Sequence, residues 1–167
     1  TGRKILGDVL GWTSFRDPAV ESSLRLPRSA GGNYPDTWGD HRAIMHGRTI
    51  DLGAALAGVL EHWRPRTLAA LNDHEVKVAR FQGEFVWHMH EDEDELFVPL
   101  RGAFRVEFRD HVEHLAPGQV LVVPRGVEHR PVADVEVECL LVQRAGVRNT
   151  GNVVHPTLTA PPKERRP

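Results

Sequence analysis

The sequence has little of what several protein classes require. It contains one cysteine, Cys139, so it cannot form an internal disulfide framework, and this fits a reducing compartment such as the cytoplasm. Its longest apolar runs are far shorter than the roughly 20 residues that cross a membrane. Its 21 basic and 23 acidic residues give no broad basic field for nucleic acid. We therefore expect a cytoplasmic protein without nucleic-acid or membrane partners.

Common catalytic motifs are missing as well. The sequence has no glycine-rich phosphate loop, no nucleophile elbow and no CxxC pair. Histidine, in contrast, occurs 10 times in 167 residues. The histidines are therefore the first candidates for chemistry.

Residues 1–49 are predicted to form a loop-rich arm with one short helix around residues 19–24. This part lacks sustained periodicity and contains turn-rich stretches such as LPRSAGGNYPDTWGD. Its aromatic residues would be costly to leave in water. We expect the arm to pack across the folded domain with a neighbouring subunit's help, in a homodimer. The alternatives are that it wraps its own domain or is partly disordered.

The hydrophobic periodicity of the remaining chain is first that of a helix and then that of β-strands. Residues 50–64 predict a short amphipathic helix, capped by Asp51 and ended by Pro65. Residues 65–150 contain short Val-, Phe- and Leu-rich segments separated by turn residues, which predicts an all-β sandwich or barrel. The predicted strands are HEVKVARF, GEFVWHMH, ELFVPLRG, AFRVEFRD, HVEHLAPG, QVLVVPRG and VEVECLLVQ. Residues 151–167 form the C-terminal tail, whose proline-rich end from His155 is predicted to be mobile.

Two histidines stand one residue apart in GEFVWHMHEDEDELFVPLRG. A strand would project His88 and His90 from one face, and a hairpin would return Glu95 beside them. Residues 91–94 are interpreted as a solvated reversal, because neighbouring carboxylates repel one another. The His-x-His pair alone is weak, since about 0.6 such triplets are expected by chance at this histidine content.

A second stretch, GQVLVVPRGVEHR, places another histidine after a stiff turn. An apolar strand runs into the turn at residues 124–126, and His129 follows three residues after its glycine. A donor delivered by a rigid turn suits a metal site, because preorganised ligands lose less binding energy to ordering.

The two stretches resemble the paired motifs of the cupin superfamily. The first motif reads Gly, about five residues, His-x-His, three or four residues, Glu, six residues, Gly, and it matches Gly83 to Gly102 with one residue fewer after the first glycine. The second reads Gly, five residues, Pro-x-Gly, two residues, His, three residues, Asn. It matches Gly118 to His129, with Ala133 in place of the asparagine, which is not a metal ligand in the family.

The resemblance covers roughly residues 66–145 and is closest to small single-domain cupins described as similar to mannose-6-phosphate isomerase. It implies a double-stranded β-helix, or jelly-roll, barrel in which four side chains converge: His88, His90, Glu95 and His129. Three imidazoles and one carboxylate suit one divalent transition metal per chain, Fe, Mn, Zn, Ni or Co, and not Ca or Mg. Two positions of an octahedral ion would stay open for water, substrate or dioxygen.

The resemblance implies two kinds of function. One is a metal-dependent isomerase, lyase or dioxygenase acting on a small oxygenated molecule. The other is a non-catalytic module that binds a small ligand or metal. An enzyme needs a further titratable group facing the open position, and the candidates are Lys77, Arg80, Glu84 and Cys139.

Each of these candidates also has an interpretation without a chemical role. Surface positions are favoured for Lys77 and Arg80, although one of them could point into the barrel mouth. Cys139 is interpreted as a small buried hydrophobe. The other histidines are interpreted as surface or arm residues: His41, His46, His62, His74, His111, His114 and His155.

Overall fold

The computed structural model describes residues 47–160. Most of the predicted arm, with its short helix, and the last residues of the tail lie outside this range. The described part contains one helix and seven strands, and none of its helices is long and apolar enough to cross a membrane. The elements are α1 (Leu52–Ala57), β1 (Arg66–Leu71), β2 (His74–Glu84), β3 (Glu95–Arg101), β4 (Phe104–Phe108), β5 (Val112–Leu115), β6 (Leu121–Val123) and β7 (His129–Arg144).

The helix α1 begins where the sequence predicts and ends earlier. The Asp51 side chain accepts a hydrogen bond from the backbone N–H of Ala54 at 2.8 Å, as an N-cap should. The helix ends at Gly58, because glycine is a poor helix former, so the predicted span of 50–64 is too long. Leu56 and Val59 are buried against Val78, so this segment covers the outer face of β2.

All strand pairs are antiparallel, and the all-β prediction is confirmed. The main path of the sheet is β1-β2-β7-β3-β6, and β4 pairs with both β5 and β7. The long strand β7 pairs with β2 along one side and with β3 and β4 along the other. It therefore links β2 to both β3 and β4 within the sheet.

The barrel interior is filled mainly by aromatic and aliphatic side chains. Alternate residues of β2 and β7 point inward, and Trp63 stacks on Phe81 with ring centroids 4.5 Å apart. The aromatic members of the core are Trp63, Phe81, Phe85, Phe97 and Phe104. Polar side chains replace this apolar filling where the two motifs meet.

The strand predictions need three corrections. Residues 85–90 do not form a regular strand, because the chain bends at Gly83, with φ of +81°. The segment then pairs with β7 through the Phe85 N–H, which donates to the Pro131 carbonyl at 3.0 Å, and through a bridge between His88 and His129. β7 begins at His129 rather than at residue 135. β1 was not among the predicted segments, because its sequence RTLAAL contains little of the Val and aromatic content that marks strands.

The C-terminal tail, up to residue 160, packs on the barrel. The Arg64 guanidinium donates to the backbone carbonyls of Thr157 at 2.7 Å and Thr159 at 2.5 Å. Asn149 donates to the Trp63 carbonyl at 3.1 Å. The start of the tail therefore forms hydrogen bonds whose partners the local sequence does not reveal, and its mobility stays a prediction. We call residues 149–160 the C-terminal strap.

Candidate metal centre

The two histidine motifs are joined through their backbones. The N–H of His88 donates to the carbonyl of His129 at 3.0 Å, and the N–H of His129 donates to the carbonyl of His88 at 2.9 Å. This reciprocal pair fixes the separation of two ligands that are far apart in sequence.

The turn before His129 is bound to the acidic run after His90. The backbone N–H of Gly126 donates to the His90 carbonyl at 2.7 Å, and the N–H of Arg125 donates to the Asp94 carboxylate at 3.0 Å. Gly126 has φ of +73°, which explains why a glycine stands in this turn. The stiff turn expected from the sequence therefore holds both motifs in one arrangement.

The four side chains named from the sequence come together inside the barrel. One ligand atom from each of them lies within 4.8 Å of the others, and all four residues are buried: His88, His90, Glu95 and His129. The Glu95 Oε2 atom lies 3.3 Å from Nε2 of His90 and 3.3 Å from Nε2 of His129. That they bind a metal stays a prediction.

The outer ring nitrogens support this use of the imidazoles. Nδ1 of His88 lies 3.0 Å from the Val86 carbonyl, and Nδ1 of His129 lies 3.0 Å from the Val127 carbonyl. A carbonyl only accepts hydrogen bonds, so each Nδ1 carries a proton, and the neutral form of each ring has its lone pair at Nε2. This arrangement is usual for metal-binding histidines.

His90 fits a metal in a different way. Neither of its buried ring nitrogens forms a hydrogen bond of good geometry, and a buried polar atom without a partner is costly. Its Nδ1 lies 3.2 Å from a Glu93 carboxylate oxygen, in an ion-pair contact. Coordination of a cation at Nε2 would satisfy the inner nitrogen. The donor set therefore fits a transition metal.

The electrostatics of His88 and Glu95 suit metal binding, whereas those of His90 favour a proton that a metal would have to displace. Burial, together with the neighbouring His129, lowers the pKa of His88 to about 4, so this ring is neutral at physiological pH. Burial opposes ionisation of Glu95, but the contacts with His129 and His90 outweigh it and lower its pKa to about 2. Burial also opposes the charged form of His90, yet the nearby Glu95 and Glu93 carboxylates raise its pKa above the ordinary value.

Two neighbours of the ligands were missed from the sequence. Glu93, interpreted as solvated, is only 13% exposed in its side chain and contacts His90. The buried Gln143 donates from Nε2 to Oε1 of Glu95. Gln143 alternates along β7 in phase with the buried Cys139 and Leu141, and this pattern in the sequence could have indicated that its side chain points inward.

The candidates for a further titratable group have other partners. Lys77 is buried, so the favoured surface position is wrong, and its Nζ lies 3.2 Å from Gln143 Oε1. Arg80 points outward and contacts Glu138 at 3.4 Å. Glu84 pairs at the surface with Arg130, and burial raises the pKa of Cys139 to about 12.

The remaining described histidines stand apart from the cluster. His62 and His111 contact surface carboxylates, and His114 is exposed. His74 contacts Asp73 beside it, and His155 is half-buried in the strap. His41 and His46 lie outside the described residues.

A pocket opens onto the cluster. It encloses about 320 Å³ of empty space, including the part open to solvent. His88 and Glu95 line it on the side of the cluster, and four of the other lining residues are Trp or Phe. The lining side chains include Trp63, Phe81, Phe85, Phe97, Leu141, Gln143 and Asn149.

The protein is thus a small antiparallel barrel. Three imidazoles and one carboxylate meet in its interior, and together they could hold a metal ion. A family model described as a cupin domain matches residues 75–143. The uncharacterized protein YdbB of Bacillus subtilis (strain 168) is 37% identical over 78 residues, which are 46% of this chain and 69% of the relative. The chain belongs to the cupin family.

Two solved structures are similar to the barrel. A cupin-2 domain containing protein from Shewanella frigidimarina NCIMB 400 is 37% identical, with a TM-score of 0.56, over 57% of this chain and 93% of that one. Protein NMB1881 from Neisseria meningitidis is 26% identical, with a TM-score of 0.54, over 59% of this chain and 100% of that one. The C-terminal strap lies beyond the residues that the family model matches.

Proposed function

We propose that the protein holds one divalent transition metal, Fe, Mn, Zn, Ni or Co, and binds a small oxygenated molecule at the metal's open positions. The reaction would be that of an isomerase, lyase or dioxygenase. The observation that carries the proposal is the buried convergence of the four donors His88, His90, Glu95 and His129 within 4.8 Å. When bound, such a metal supplies Lewis acidity, an acidified water or a site for dioxygen.

The protein's own residues would orient the ligands and limit access of water. The backbone carbonyls of Val86 and Val127 hold two imidazoles with Nε2 directed to the cluster. The aromatic wall of the pocket presents apolar surface beside the site. This arrangement supports a reaction confined to the metal's neighbourhood.

The pocket also supports a class of ligand. Its amide side chains are engaged with protein groups: Asn149 donates to the Leu158 carbonyl at 2.8 Å, and Gln143 donates to Glu95. The rings of Trp63, Phe81 and Phe85 offer apolar contacts. We therefore favour a small molecule with an apolar body and an oxygen donor that faces the metal.

The alternative is a non-catalytic module that binds a small ligand or metal. The contacts of the titratable candidates favour it, because Lys77 is engaged inside the barrel, Arg80 and Glu84 pair at the surface, and the Cys139 thiol is buried. Turnover of a bound molecule would distinguish the two functions.

Metal analysis tests the shared part of both. Protein purified without chelators and without a metal-affinity column should contain about one equivalent of a transition metal per chain. Replacing His90 with alanine should remove most of it, while the matched replacement of the exposed His114 should not. Iron would direct attention to oxygen chemistry and zinc to Lewis-acid chemistry. A wild-type protein that stays metal-free after incubation with each ion would refute the proposal.

A further inference from the structure

Four polar side chains form a connected row inside the barrel, which we call the interior polar row: Glu75, Lys77, Gln143 and Glu95. Each is at most 6% exposed. Nζ of Lys77 lies 3.0 Å from Glu75 Oε2 and 3.2 Å from Gln143 Oε1. The amide of Gln143 then donates to Oε1 of Glu95. The row therefore connects a buried ion pair to a candidate metal ligand.

The ion pair determines which way the Gln143 amide points. An ammonium group has only donors, so the amide oxygen must face Lys77, and the NH₂ group is left to face Glu95. The reversed amide would direct its N–H groups at the ammonium and its carbonyl at the carboxylate. Both contacts would then be repulsive.

The orientation of Gln143 in turn distinguishes the two oxygens of Glu95. Oε1 accepts the hydrogen bond from Gln143, whereas Oε2 lies 3.3 Å from Nε2 of both His90 and His129. The carboxylate is thus held with one oxygen toward the protein and the other toward the imidazoles.

A buried ion pair is weak evidence for a role in stability. Burying two charges costs desolvation energy that their attraction often only offsets, and apolar replacements of buried ion pairs are frequently neutral or stabilising. Lys77 and Glu75 occupy inward positions of β2, in phase with the apolar residues Ala79 and Phe81.

We propose that Gln143, oriented by the Glu75–Lys77 pair, is a positioning residue that presents Oε2 of Glu95, and not Oε1, to the metal. This inference rests on the proposed metal binding. It gives the buried Lys77 a role through Gln143 rather than as a group that contacts substrate.

The test replaces Gln143 with leucine, which keeps the bulk and removes the amide. Co²⁺ is the probe, because its visible absorption depends on the number and geometry of its ligands. We expect the variant to bind Co²⁺ about 10- to 100-fold more weakly than wild type, as is usual for residues that support metal ligands, and with an altered spectrum. The control is Val137→Ala, which removes apolar volume from another fully buried position of β7. It should lower the thermal stability while leaving Co²⁺ affinity and spectrum unchanged.

A second variant keeps the test decisive if Gln143→Leu does not fold. The double variant Glu75→Gln, Lys77→Met removes both charges together and leaves Gln143 in place. It should weaken Co²⁺ binding in the same direction, because the amide loses the partner that orients it. Wild-type affinity and spectrum in either folded variant would overturn the positioning role. Failure of the wild-type protein to bind Co²⁺ or any other transition metal would instead overturn the proposed function.

Discussion

Replacing Gly151 with alanine should destabilise the protein and disturb the candidate metal centre together. Gly151 lies in the C-terminal strap with φ of +50°. A Cβ atom there would overlap the carbonyl oxygen of Met89, at 2.8 Å from its carbonyl carbon, and would lie 3.3 Å from Nδ1 of His90. Met89 stands between two of the candidate ligands. The strap and the His-x-His segment therefore cannot both keep their positions in the variant.

The magnitude follows from two contributions. An alanine in the left-handed region costs about 1–2 kcal/mol. Overpacking against a closely fitted neighbour costs about 1–3 kcal/mol more, and here the neighbour is backbone, which cannot rotate away. We expect Gly151→Ala to lower the free energy of unfolding by about 2–5 kcal/mol in total.

Gly146→Ala is the matched control. Gly146 has φ of +80°, and a Cβ atom added to it would meet nothing within 4 Å, so its variant has only the backbone contribution. Urea unfolding of the metal-free proteins would measure both losses, and Co²⁺ titration would measure affinity. The reasoning is refuted if Gly151→Ala is no less stable than Gly146→Ala and binds Co²⁺ equally well.

Three further predictions concern the ligands and the arm. Glu93→Gln should weaken metal binding because it removes the negative charge beside His90, whereas the neighbouring Asp92→Asn should change metal affinity little. Equal affinities of the two variants in a Co²⁺ titration would mean that Glu93 does not support His90. Metal occupancy should fall on acidification, because His90, with its raised pKa, takes up a proton before His88, whose pKa is about 4. Absorbance of bound Co²⁺ that stays constant from neutral pH to about pH 4 would argue against histidine ligation. Deleting residues 1–49 should convert a homodimer into a monomer in light scattering. The same number of chains per particle in the truncated and full-length proteins would exclude the arm from assembly.

The candidate ligands could be named from the sequence because the spacing within each of the two motifs is local and the paired motifs resemble those of a known family. His88, His90 and Glu95 lie within one hairpin-sized stretch, and His129 follows a turn whose proline and glycine restrict the backbone. Motifs of this kind carry their geometry within a few residues. The convergence of His129 with the other three ligands was expected only from the resemblance to the paired cupin motifs, because His129 lies far from them in the sequence.

The contacts around the ligands could not be predicted in the same way. Glu93 belongs to a run of acids, and a charge run usually indicates a solvated turn, whereas the fold buries this one member against His90. Lys77 has the inward phase of its strand, but its charge argued for the surface. Its partner Gln143 is 66 residues away, and only the pairing of β2 with β7 brings the two together.

The strap changes what should be regarded as the smallest autonomous unit of this protein. Asn152 accepts a hydrogen bond from the Met89 N–H at 3.0 Å and donates its own N–H to the Met89 carbonyl at 3.1 Å. A fragment that ends at residue 143, where the family match ends, would leave both Met89 groups without Asn152. It would also leave the Arg64 guanidinium without the carbonyls of Thr157 and Thr159. Domain boundaries drawn from family similarity would thus cut through the supports of the His-x-His segment. A minimal domain for expression or grafting has to extend to residue 160.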